Sequence, residues 1–138
     1  KVDNMSLIIF VLAVFFVIML ITPTINVKQK NKNLEDLKME VHKYSGLDPG
    51  TYYSFLNNIE LMETQIKNGY VDSAVDYLHK AIENIQELSL YLTGSTSENI
   101  NSIINLSRKV GIESEKIIMD VALIKRIKFK PIYLNELE

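Results

Sequence analysis

The chain of 138 residues has no cysteine, two histidines, two arginines and five glycines. Without cysteine there is no disulfide framework, no thiolate zinc site and no cysteine nucleophile. His42 and His79 stand apart, with no Ser or Asp motif around either, so neither a histidine metal site nor a catalytic triad is expected. No glycine-rich phosphate loop occurs. Charge of one sign is missing too: 15 basic against 17 acidic residues leave a net charge of -2. A general nucleic-acid binder needs a basic surplus, so nucleic acid is disfavoured as a partner. These absences remove catalytic residues, cofactors, metals and a small-molecule substrate from the expectation.

What the sequence does have is an apolar run, Leu7 to Ile21, fifteen residues without a charge or polar group. Taken from Met5 to Ile25, about 21 residues, the segment spans about 31 Å as a helix, the thickness of a bilayer core. A buried core helix would carry a polar stripe, and none is present. A cleavable signal peptide would carry a basic leader and a small-x-small exit, whereas Thr22-Pro23-Thr24 follows here. Residues 1–25 are therefore expected to form a transmembrane anchor, with Leu7, Phe10, Val14, Phe15, Phe16, Ile18 and Ile21 facing lipid and Pro23 ending or kinking the helix. Lys28, Lys30 and Lys32 would meet headgroups from a polar stalk over 26–33. Because bases follow the run and only Lys1 precedes it, the C-terminal domain is expected on the cytoplasmic-equivalent side.

Residues 34–127 read as a bundle of four to five helices. Leu34, Leu37, Val41 and Tyr44 recur at helical spacing up to Gly46. Asp48-Pro49 has the form of an N-cap followed by proline at the first helical position, opening a helix with Tyr52, Phe55, Leu56, Ile59, Met62 and Ile66 on one face. Asn68-Gly69 closes it, and a second helix from about Tyr70 to Thr93 follows antiparallel. Ser95 and Glu98 have capping-box spacing for a helix that Gly111 ends or bends. A last helix to Ile127 would bury Ile117, Ile118, Val121, Ala122 and Ile124 and leave Glu113, Glu115, Lys116 and Asp120 wet. Beyond it, 128–138 is expected as a short extended arm or edge strand, since period-two alternation leads into Pro131. The fold class is all-α: one N-terminal transmembrane helix, a small bundle and a C-terminal arm.

Gly69, Ala74 and Ala81 have the spacing of the second helix of a tetratricopeptide repeat, and the segment resembles one. No second copy is present, so an isolated hairpin within a bundle is the better reading. Asp72, Asp76, Glu83 and Glu87 lie beside Lys80 on a polar helix face and read as solvated. Tyr52, Tyr53 and Phe55 read as core and rim. The local charge excess is in the arm, where Lys125, Arg126, Lys128 and Lys130 interleave with Ile127, Phe129, Ile132 and Tyr133. This is the candidate partner-binding segment, lying either on a partner or across its own bundle.

The stretch from Asp48 to Leu61, followed by the helix Tyr77 to Leu88, resembles small membrane-anchored virion proteins of nucleocytoplasmic large DNA viruses. The bias of Lys over Arg, twelve Asn and eighteen Ile agree with an AT-rich genome. The resemblance implies a minor capsid protein joining the internal viral membrane to the capsid shell, with lipid and capsid or other membrane-assembly proteins as partners. The alternative is a membrane-tethered peptide receptor, which would show an open apolar groove between the two helices of the hairpin. A filled interface there would favour the structural reading.

Overall fold

The computed structural model describes residues 4–17, 32–92, 94 and 97–134; over 18–31 it gives the course of the helix backbone alone. The elements are α1 (Asn4–His42), α2 (Pro49–Asn68), α3 (Val71–Ser89) and α4 (Ser97–Ile124). All regular structure among the described residues is helical, which fits the all-α expectation.

The expected transmembrane helix is overturned. Among the described residues no helix is long and apolar enough to cross a membrane. The single-pass assignment and the placement in a virion internal membrane fall with it. Leu7, Phe10, Val14, Phe15 and Phe16 are exposed along α1, and Lys32 is exposed further on. Ile18, Ile21, Pro23, Lys28 and Lys30 lie outside the described side chains.

Local chemistry explains the hairpin. Asp48 is extended, Pro49 follows at the first helical position, and the first helical bond runs from the Tyr52 N–H to the Asp48 carbonyl at 3.1 Å. The Asp48 carboxylate does not cap a backbone N–H; it accepts the Thr51 hydroxyl instead. α2 ends where Gly69 takes φ +80. There the Gly69 N–H donates to Ile66 at 3.0 Å and the Tyr70 N–H to Gln65 at 2.9 Å, the paired bonds of a Schellman end. A side chain at that φ costs roughly 1–2 kcal/mol, which is why glycine stands there. Only Gly69 and Tyr70 separate α2 from α3, so the two pack antiparallel as expected.

α3 packs on both α2 and α4, and α1 closes the bundle mainly against α4. The core combines Leu34 and Val41 of α1, Phe55, Ile59 and Met62 of α2, Leu78, Ile82, Ile85 and Leu88 of α3, and Ile103, Val110 and Ile118 of α4. Ala74 and Ala81, both fully buried, let neighbouring backbones approach α3. Across the α2–α3 seam the Asn58 amide donates to Asn84 at 2.8 Å. α1 is tied to α2 by Lys38, which pairs with Glu35 and with Glu63 at 3.1 Å, and by His42 Nδ1, 2.9 Å from the Tyr52 hydroxyl.

Two expectations need correction here. Gly111 does not end a helix, for α4 runs unbroken through it. Helix propensity charges about 1 kcal/mol for an interior glycine, which a long helix packed on two neighbours tolerates. Ile124, expected in the core, is 81% exposed in the last turn of α4, where it lies off the buried stripe of Ser114, Ile118 and Ala122.

Two consequences are measurable. The Ser114 hydroxyl is buried without a hydrogen-bond partner among the described residues, so Ser114→Ala should raise unfolding stability by about 1 kcal/mol in urea denaturation. Burial alone would lower the Lys38 pKa, but Glu35 and Glu63 outweigh it and hold the pKa above the ordinary 10.5. Burial, with Tyr53 close by, pushes the Tyr52 phenol above 10.0 against the opposing pull of Lys38. Groups whose folded pKa is raised contribute stability that is complete below the unfolded pKa and lost as pH rises through the folded one. Stability should thus hold to about pH 9.5 and fall above about pH 10, with a shallower fall in Lys38→Met. Equal denaturation midpoints at pH 9 and pH 11.5, roughly, would contradict this assignment.

Candidate functional site: the C-terminal arm and its groove

α4 ends in a second Schellman pair, the Arg126 N–H donating to Leu123 at 3.2 Å and the Ile127 N–H to Ala122 at 2.8 Å. The left-handed position is held by Arg126, φ +56, rather than glycine. From this turn the chain reverses and runs back without forming a strand among the described residues. Phe129 and Tyr133 pack against the bundle, in a groove lined also by Val75, Leu78, His79 and Glu115. Little space remains there, about 20 Å³.

Glu115 fastens the arm. Only 2% exposed, its carboxylate accepts the Ile132 N–H at 2.7 and 3.0 Å and also the Tyr133 N–H. An extended segment laid on helices has no ladder for its amides, and burying them unpaired is costly. Here one carboxylate takes two successive amides, and charge-assisted bonds of this kind are the stronger sort. The same two bonds compensate the carboxylate for its loss of water. Gly111, one turn before Glu115 on α4, receives the Tyr133 ring: a Cβ there would stand 2.5 Å from Tyr133 Cγ. His79 meets the same ring at 6.5 Å between centroids.

The expected wet position of Glu115 is thereby corrected. Its signal was present, since Gly111, Ser114, Glu115, Ile118 and Ala122 share one helical face and all are buried. The carboxylate alone suggested solvent. Gly111, read as punctuation, is a hollow for a ring.

The basic residues divide. Lys125 lies across Gly69, its amine occupying the space a side chain there would need. Arg126 forms the turn, and Lys128 and Lys130 are exposed. Beside them is an apolar end surface: Tyr70 is 61%, Leu123 69% and Ile124 81% exposed, with Ile127 half-covered. Tyr70 and Ile127 border one open hollow together with Val71 and Asp72. Asp72, Asp76, Glu83 and Glu87 are exposed along α3. Among the described residues no three His, Asp or Glu side chains come together to hold a metal ion. Between α1 and α4 an open hollow bordered by Glu40, Lys43, Ser102 and Lys109 is polar and shallow.

In Gly111→Ala the new methyl should lift Tyr133 and free the arm while favouring the helix by about 1 kcal/mol. Hydrogen exchange at the Ile132 and Tyr133 amides should accelerate roughly tenfold or more, with the thermal midpoint of the bundle nearly unchanged. Unaltered exchange at both amides would mean that the ring is not what holds the arm.

Set beside protein-family models, curated proteins and solved structures, the chain matches none of them.

Proposed function

We propose that this chain is a non-catalytic structural protein that docks onto other proteins of a large assembly, of the minor-capsid kind that the sequence resemblance implies. The observation that carries the reading is the end of α4, where exposed Leu123 and Ile124 are followed directly by exposed Lys125, Arg126 and Lys128, with Tyr70 and Ile127 bordering one open hollow. An apolar centre with a basic rim suits an acidic protein surface: the apolar part contributes affinity, and the charges contribute orientation and encounter rate. Many weak copies of such a contact, repeated over a shell, sum through avidity.

The filled seam between α2 and α3 supports this reading over a peptide receptor. Phe55, Ile59, Met62, Leu78 and Ile85 are fully buried, leaving no open apolar groove of tetratricopeptide type within the hairpin.

The test is crosslinking mass spectrometry on native assemblies, comparing the parent chain with one carrying Ser at positions 125, 126, 128 and 130. Reproducible links from Lys128 or Lys130 to abundant shell proteins are expected, and the Ser variant should lose partner association about tenfold while its thermal midpoint moves by no more than about 3 °C. Links confined to varied polypeptides near Lys67 and Lys80 would support the receptor instead.

A further inference from the structure

The groove between α3 and α4 is built to hold an extended segment, and the segment it holds belongs to the same chain. Its contacts need nothing from the covalent connection: two amides on Glu115, a ring on Gly111 and Phe129 against the bundle. The connection itself is the strained part. Arg126 sits in the left-handed region, where its Cβ crowds the following carbonyl. At the hinge Arg126 and Lys128 are exposed, while Lys125 rests on Gly69 and Ile127 borders the hollow beside Tyr70. Opening the turn relieves the strain at the loss of its two Schellman bonds, Arg126 N–H to Leu123 and Ile127 N–H to Ala122, while the groove contacts are ones that another identical arm restores.

We propose that the α3–α4 groove is an interaction site for the arm of a second copy of this chain, residues 129–133 being exchanged between two copies about a hinge at Arg126. A two-fold pair satisfies both grooves at once, as in domain swapping. The closed form is favoured by the high effective concentration of a short tether, and the exchanged form by protein concentration and by release of two strained hinges. Lys125, Arg126 and Lys128 of the two hinges repel each other in the pair, so added salt should favour exchange. This inference concerns self-association and does not rest on the assembly reading above; it is tested with the purified chain alone.

Two experiments decide it. The first is sedimentation equilibrium of the full chain with and without Arg126→Gly. Glycine removes the strain of the closed turn in both copies, so the dimer should weaken about 30-fold in Kd, while the parent dimer should strengthen from about 0.05 to about 0.5 M salt. The second is complementation. One chain carries Gly111→Leu, which blocks its groove and leaves its arm intact; the other carries Phe129→Ala and Tyr133→Ala, which weaken its arm and leave its groove intact. Neither can close its own groove, so a mixture reads exchange without competition from the tethered arm. A one-to-one complex that neither chain forms with itself is the expected result. If Gly111→Leu fails to fold by circular dichroism, Glu115→Leu takes its place as the blocked chain. A mixture that remains monomeric at the highest concentration the chains reach, or a dimer unaffected by Arg126→Gly, would overturn the proposal.

Discussion

The packing of α3 between α2 and α4 is the constraint on which the rest of the head depends. Ala74, Leu78, Ala81, Ile82, Ile85 and Leu88 all fall on its buried side, and α2 and α4 find their places by covering them. Alanine at two positions lets backbones come close, while the larger residues fill what remains at the density protein interiors require. α1 then closes the bundle over α4, held to α2 by polar pairs more than by apolar area. The strong seams are those joined by short turns or long parallel runs of contact, and the weaker one is the seam that polar groups tie.

That arrangement also produces the groove that the arm fills. Two helices packed side by side leave a furrow, and α4 lines its furrow with a glycine and a carboxylate one turn apart. The glycine admits a ring and the carboxylate substitutes for a strand partner, so the furrow accepts backbone that a helical surface would ordinarily reject. Because both devices act on backbone and one ring, they do not distinguish an arm from the same chain from an arm of another. Of the basic residues, Lys130 borders the furrow and Lys125 rests on Gly69, while Arg126 and Lys128 stand exposed beside it.

Much of the bundle was legible because helical period and turn chemistry act locally. Asp48-Pro49, Asn68-Gly69 and the 3–4 spacings of α3 marked their elements correctly. The misreadings have a common cause. The propensity of Gly111 and the charge of Glu115 are local properties, whereas the arm seventeen or more residues further on, together with α3, supplies the environment that overrides both. Ile124 is the opposite case: an apolar side chain that lies off the stripe of Ser114, Ile118 and Ala122 and stands exposed. For the apolar run, hydrophobicity read from the sequence implies a span, whereas among the described residues no helix is long and apolar enough to cross a membrane.

The sequence by itself determined that the chain is helical, where the α2–α3 hairpin turns, and which residues form the core stripe, because those follow from interactions between residues a few positions apart. Only the tertiary structure decided that α4 is continuous, that Glu115 is buried, and that Tyr133 rests on Gly111. The last two join groups seventeen or more residues apart, and a buried carboxylate or an interior glycine becomes favourable only when the segment that satisfies it has arrived.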